Sequence, residues 1–492
     1  MLAVPAAHAF DFSELENSVV EHTLDNGLTI IVLPRHDAPV VSFVTYADVG
    51  SVNDPKGYTG MAHMFEHMAF KGTPDIGTTN YEKELELMRV EDSIFALLRR
   101  ERLKGPLADQ EKIAQLEQDF QDAIDAAYDL VVPNDFSETM GQEGAVGLNA
   151  GTSYDMTMYY FSLPSNKVEL WMAMESERFY KPVLREMYKE RQVVAEERRM
   201  RTESSPFGRL MEEFFALAYK AHPYGVSIIG HMSDIQNYDR DAAMKYFEDN
   251  YSPANLTCVL VGDVKPKEVF KLAEKWWGRI PYRPEPEPIN TVEPEQIGER
   301  RMVLEDPAQP IYWCGWHIPA GTHPDRPAID AMMDYLGQGR TSLLYKNLVK
   351  DKKMAMEVQA FAGWPGNKYP TMANILCIPA QGHDNYECEQ EIFTEVDKLK
   401  EQLLTQEELN GIKARARSSF INGLVSNSGL ASQMAVYNGI YGDWREMFRE
   451  LDRINAVTAE DVQRVANEYF TEKNRVVVMM NTIEEESEEG VS

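Results

Sequence analysis

The chain runs through one structural plan twice, on either side of YRPEPEPINTVEPEQIGER (282–300), a stretch too rich in Pro and Glu to pack a core. In the first half, VEHTL and LTIIVLP alternate as strands do and meet across Asp25-Asn26-Gly27, a hairpin signal. The strand-like VVSFVTYADVG follows and leads into a helix, GMAHMFEHMAFKGT (60–73). That half closes with KYFEDNYSPANLTCVLVGDV, a helix end followed by an apolar strand, and then the amphipathic EVFKLAEKWWGRI. In the second half IYWCGWHIPA is strand-like and RPAIDAMMDYLGQG helix-like, and VTAEDVQRVANEYFTEKNRVVVMM again runs helix, Tyr-Phe, polar link, apolar strand.

Repeats of this kind imply an α+β fold of two homologous domains, each a mainly antiparallel sheet covered by helices. The expected divisions are a tail over 1–17, a first domain over 18–280, a linker over 281–300, a second domain over 301–482 and an acidic tail over 483–492. Residues 81–135 read as an insertion in the first domain: the segment is highly charged, and Gly105-Pro106 breaks it into two helices. In the second of these, Ile113, Leu116, Phe120, Ile124 and Ala127 form one apolar stripe. Such a hairpin packs on its own domain, or serves as a docking arm or chamber wall.

The 492 residues carry 79 acids against 49 bases, a formal net charge of −30. Phosphate binding needs basic surface, so nucleic acid is excluded as the main partner, and so is an anionic membrane. No run of 18 apolar residues exists to span a bilayer. The N-terminus, MLAVPAAHA, ends in Ala7-His8-Ala9, an A-x-A pattern like those that precede signal-peptide cleavage. Read as the tail of a signal peptide, it places the mature start near Phe10 and the protein in the periplasm or outside the cell. Read as a disordered tail, it leaves the cytoplasm open. Cys258, Cys314, Cys377 and Cys388 lack C-x-x-C spacing and make neither a disulfide framework nor a metal site.

The chemistry is concentrated in HMFEH. On a helix His63, Glu66 and His67 stand at i, i+3 and i+4 and share one face. Two imidazoles one turn apart can bind the same Zn2+, and the acid between them can reach a water on that metal. With ten histidines in the chain, chance yields on the order of 0.02 such H-x-x-E-H patterns. The competing reading is a salt-bridged His/Glu cluster. Laying DAMMDYLGQGR over HMFEHMAFKGT sets Asp330, Met333 and Asp334 opposite His63, Glu66 and His67, so any metal site belongs to the first half.

Catalytic zinc takes three protein ligands and keeps one position for water. YKERQVVAEERRM (188–200) offers the third. Glu190 and Glu197, two helical turns apart, share a face with Val193 and Val194 between them, a face expected to bury both valines. Glu196 lies about a hundred degrees round, with Arg199 three residues on to pair with it. Without the histidines the same segment reads as a surface helix laced with Glu/Arg pairs.

Three stretches, GMAHMFEHMAFKGT, NAGTSYDMTMYYFSLP (149–164) and ERQVVAEE (190–197), resemble the pitrilysin-like inverzincin metallopeptidases, a family that includes insulin-degrading enzyme and the mitochondrial processing peptidase. The resemblance covers nearly the whole chain apart from the inserted hairpin and the tails. It implies one Zn2+ per chain held by His63, His67 and Glu197, with Glu66 as general base in peptide hydrolysis. It implies that Glu190 supports the site without touching the metal. Asn149 and Ala150 match the edge strand that pairs with an extended peptide or unfolded protein.

One departure stands out. The family completes its site with an arginine and a tyrosine seven residues apart, contributed by the second domain of another half or subunit. The corresponding stretch here, LLYKNLVKDKKMAMEV (343–358), places Val349 and Met356 at those positions. Neither side chain donates a hydrogen bond. The expected assembly is therefore a heterodimer in which a related subunit supplies the Arg/Tyr pair. The alternatives are a non-catalytic structural subunit and a peptide-binding subunit of the same fold.

Overall fold

The structure, a computed structural model, describes residues 12–483. The A-x-A pattern, the expected start at Phe10 and all of the acidic tail beyond Ile483 lie outside the described residues. Within the expected N-terminal tail, Ser13–Ser18 forms a helix. It is tied down because Phe12 stacks on Phe448 and meets Phe420 edge-on, with centroids 5.8 and 5.4 Å away.

Two sheets carry the molecule. The first comprises β1 (Val20–Thr23), β2 (Thr29–Pro34), β3 (Val40–Ala47), β4 (Val146–Thr152), β5 (Thr157–Pro164) and β6 (Leu256–Gly262), in the order β1-β2-β6-β3-β5-β4. The second comprises β7 (Arg300–Asp306), β8 (Ile311–Ile318), β9 (Ala355–Trp364), β10 (Thr371–Pro379) and β11 (Arg475–Thr482), in the order β7-β11-β8-β10-β9. In each, one pair is parallel (β2 with β6, β7 with β11) and every other pairing is antiparallel. Matching β2, β6, β3, β5, β4 to β7, β11, β8, β10, β9 superposes the two topologies, with β1 as the one extra strand. The fold is α+β with two domains. β7 already begins at Arg300, the last position of the expected linker.

Burial explains the strand sequences. β6, LTCVLVG, is buried along its whole length and reads as a continuous apolar run. β4, VGLNAGT, alternates between exposed and half-buried because it forms one edge of the first sheet.

One face of the first sheet packs against the helix Met61–Met68: Met61, Met64, Phe65 and Met68 join Ile30, Val32, Phe43 and Trp171 in a common core. The opposite faces are covered by an exchange. The helix Pro206–Ala218, which precedes the linker, lays Leu210 and Phe214 on Trp313, Val476 and Val478 of the second sheet. The helix Asn427–Tyr441, from beyond the linker, lays Leu430 and Met434 on Val44, Tyr46, Val259 and Val261 of the first.

Residues Tyr81–Arg102 and Gln110–Tyr128 form two helices that pack together, with N-caps from Asn80 and Asp109. Phe95, Leu98, Leu116, Phe120 and Ile124 form a small core of their own with Tyr188. Two buried arginines fasten this hairpin: Arg185 Nε donates to Glu84 at 2.8 Å, and Arg240 Nη2 to Glu91 at 2.6 Å.

Candidate metal centre

The helix Met61–Met68 is set by its N-terminus. Gly60 takes φ +88, and a Cβ there would come within 2.3 Å of the Ile229 carbonyl oxygen, so only glycine fits. Asp54 then accepts from the N–H groups of Gly60 and Ala62 at 2.7 and 2.9 Å, satisfying donors that the first turn cannot. With Met61, Met64, Phe65 and Met68 turned into the core, the opposite stripe of His63, Glu66 and His67 meets the helix Met187–Arg198.

There Glu197 comes to both histidines. His63 Nε2 stands 3.7 Å and His67 Nε2 3.5 Å from Glu197 Oε2, and the donor atoms of all three lie within 4.8 Å of one another. Two ligands each ~2.1 Å from a tetrahedral zinc sit roughly 3.4 Å apart, so this donor set fits such an ion. Glu190, two turns before Glu197, accepts from His67 Nδ1 at 3.0 Å and takes Lys71 Nζ at 2.6 Å on its other oxygen. That contact keeps a proton on Nδ1, so that Nε2, once it gives up its own proton, turns a lone pair toward Glu197 and the space between the three side chains.

The charges are poised for a cation. Burial holds the His63 pKa down, helped by His67 beside it. Burial also opposes charge on His67, but hydrogen bonds to Glu190 and Glu197 overcome it and lift the pKa to about 9. The hydrogen bond from His67 in turn holds Glu197 below the usual carboxylate range against the effect of its burial. A proton on His67 and a divalent ion thus compete for one place.

Glu66 is half-buried and lines a cleft of about 450 Å3 beside the centre, together with His67, Phe70, Asn149 and Ala150. Asn149 and Ala150 lie on β4, whose far side has no strand neighbour among the described residues. Ala150 N–H donates to Asn149 Oδ1 at 2.9 Å.

Of the valines expected between Glu190 and Glu197, Val194 is buried but Val193 is 47% exposed, because that side of the helix forms the cleft wall instead of core. Glu196 is paired with Arg199 and solvated. In the second half the helix Arg326–Gly337 follows β8 as Met61–Met68 follows β3. Its Asp330 accepts from Arg326 Nε at 2.8 Å and its Asp334 from Arg415 Nε at 2.9 Å, so arginines meet both carboxylates. Val349 packs against the second core, and Met356, at the start of β9, is 55% exposed. Sequence reasoning did not reach Lys71, which neutralises Glu190, or Asp54, which starts the motif helix. The K-G-T after the histidines and the D-P before them were the signals available.

Residues 30–101 and 132–231 match the family model described as insulinase (peptidase family M16), and residues 237–416 match the one described as peptidase M16 inactive domain. The break at 102–131 spans the turn and the second helix of the hairpin, Gln110–Tyr128, whereas its first helix, up to Glu101, lies within the match. The zinc protease PqqE of Helicobacter pylori is 30% identical over 96% of this chain and 94% of its own. The crystal structure of a protease from Helicobacter pylori superposes with a TM-score of 0.78 at 28% identity, covering 94% of this chain and 99% of that one. The periplasmic protease PqqL from Escherichia coli shares the fold, with a TM-score of 0.68 at 16% identity; the match covers 95% of this chain but 48% of PqqL. The chain belongs to peptidase family M16.

Proposed function

We propose that this chain is the zinc-bearing subunit of a two-chain metalloendopeptidase that cuts peptides or unfolded polypeptides. The observation that carries the reading is the meeting of His63, His67 and Glu197 around one point, with Glu66 in the cleft beside it and the open edge of β4 alongside. His63, His67 and Glu197 would hold the ion. When bound, zinc supplies Lewis-acid activation of water and of the scissile carbonyl.

The chain's own residues supply the rest. Glu66 accepts a proton from the attacking water and returns it to the leaving amine. Glu190 fixes the ring of His67. The edge of β4 at Asn149 and Ala150 takes the substrate backbone as an added strand, which orients the bond to be cut with little demand on sequence.

Val349 and Met356 support the second chain: a site without side-chain donors at those places gains them from a related subunit carrying an Arg/Tyr pair. The match to half of PqqL agrees with a catalytic unit built from two such halves in one chain or two. The A-x-A pattern and the periplasmic location of PqqL favour export. The same two residues also favour a second reading, a non-catalytic subunit of this fold.

The deciding experiment assays an unfolded peptide with the zinc-loaded chain alone, with a co-purifying related subunit, and with Glu66→Gln in place of the native chain. The peptidase reading expects strong turnover only with the partner and its loss in Glu66→Gln with zinc retained. Full activity of the chain alone sinks the two-chain assignment, and indifference to Glu66→Gln sinks the peptidase.

A further inference from the structure

The helix that presents Glu190 and Glu197 to the metal centre carries a different chemistry on its back. Arg191 and Gln192 turn the other way, and Arg199 follows one turn past Ala195 on that same side. Together with Arg102, the last residue of the hairpin's first helix, and Gln236 they line a cavity of about 450 Å3. In a chain of net charge −30, three guanidinium groups around one cavity are an unusual concentration of positive charge.

Their partners account for only part of that charge. Arg102 Nη2 donates to Glu117 at 2.6 Å, and Arg199 pairs with Glu196, a carboxylate on the cavity wall that is itself 71% exposed. Arg191 differs from both. It is 8% exposed, its guanidinium lies 4.4 Å from the centre of the Phe95 ring, and its Nη1 donates to the Tyr238 carbonyl at 3.1 Å. No carboxylate pairs with it among the described residues. Burial, with Arg102 adding repulsion, pushes its pKa down to about 10. A buried guanidinium held on an aromatic face, without a counter-ion, costs stability unless something answers its charge.

We propose that this cavity is a binding site for a phosphate-type oxyanion, seated on Arg191 and clasped by Arg102 and Arg199. Guanidinium forks match tetrahedral oxyanions two bonds at a time, and Gln192 and Gln236 add neutral donors at the rim. Arg102, Arg191 and Arg199 against Glu117 and Glu196 leave a local charge of +1, centred on the unpaired Arg191, which draws an anion into the cavity. The cavity is larger than one phosphate needs, so inorganic phosphate and the phosphate tail of a nucleotide share the recognition chemistry. Occupancy would bridge the inserted hairpin to the back of the helix that bears the metal ligands. The proposal does not depend on the peptidase reading.

The test is equilibrium binding of inorganic phosphate, of pyrophosphate and of ATP to the full chain at constant ionic strength, by calorimetry with thermal shift alongside. Saturable binding that weakens at least tenfold in Arg102→Gln and in Arg199→Gln supports the site; both rim residues are solvated, so these variants should fold. Phosphate and pyrophosphate binding without a gain from ATP identifies a free-oxyanion site, and ATP binding far more tightly identifies a nucleotide site. No saturable binding of any of the three, or binding undiminished in both variants, overturns the proposal.

Discussion

Glu190 is bonded to His67 on one oxygen and to Lys71 on the other, so a single carboxylate holds both the Nδ1 side of the histidine ring and the lysine beside it. Removing its charge as Glu190→Gln weakens the hold on the His67 ring and leaves Lys71 with Glu186 alone, 3.6 Å away. Zinc affinity, measured by competition with a chelator, should fall about 10–100-fold while the fold survives. An unchanged affinity would mean that the helix alone positions the ring.

Ala150 tests how substrate is held. Its N–H lies on the strand at the open edge of the sheet, and proline is tolerated on edge strands. Ala150→Pro deletes that one donor and blocks close approach of an added strand. The expected outcome is a native melting curve with KM for peptides raised by roughly tenfold, about the loss of one backbone hydrogen bond with some strand register.

Arg185 is buried with Glu84, and it also donates to the carbonyls of Lys71, Thr73 and Ile76 in the loop after the metal helix. Arg185→Met strands a buried carboxylate and takes a donor from three carbonyls, of which those of Thr73 and Ile76 keep a backbone partner. Denaturant unfolding should show a loss of about 3–5 kcal/mol. Adding Glu84→Met should recover part of it, since the double change removes the lone charge but does not restore the donors the loop has lost.

His317 gives the molecule an acid limit that does not involve the metal. Its ring stands against Tyr219, with centroids 5.2 Å apart. Burial, then the charge of Arg300, pushes its pKa down to about 4. The unfolded chain takes up that proton near pH 6.5, well before the folded one does. Stability is therefore complete above 6.5 and declines as pH falls toward 4, by on the order of 3 kcal/mol. His317→Gln should flatten that part of the stability–pH curve in thermal melts.

The sequence was most informative where chemistry or repetition is local. HMFEH shows its geometry through i, i+3, i+4 spacing, and the segment 190–197 shows two acids on one face because a helix has a fixed pitch. The two halves betray their common plan through the order of strands and helices. Partners across space were not legible. Nothing in Pro206–Ala218 or Asn427–Tyr441 says that each covers the other half's sheet, since an amphipathic helix declares an apolar face but not what meets it. Arg185 and Arg240 look like surface arginines until Glu84 and Glu91, 101 and 149 residues away, are brought to them. Val193 shows the limit of face counting: its position on the helix was right, but that face lines a cleft.

The exchange of covering helices means that neither half is a separable piece. Each would leave a large apolar sheet face bare if made alone, and each keeps on its own body the cover that its neighbour lacks. A chain nicked between Tyr282 and Glu299 should therefore stay assembled and migrate as one particle, its two fragments parting only in denaturant. The covalent link there serves delivery of the two parts during synthesis more than their cohesion afterwards, which makes this stretch the natural place to split the gene or insert a tag.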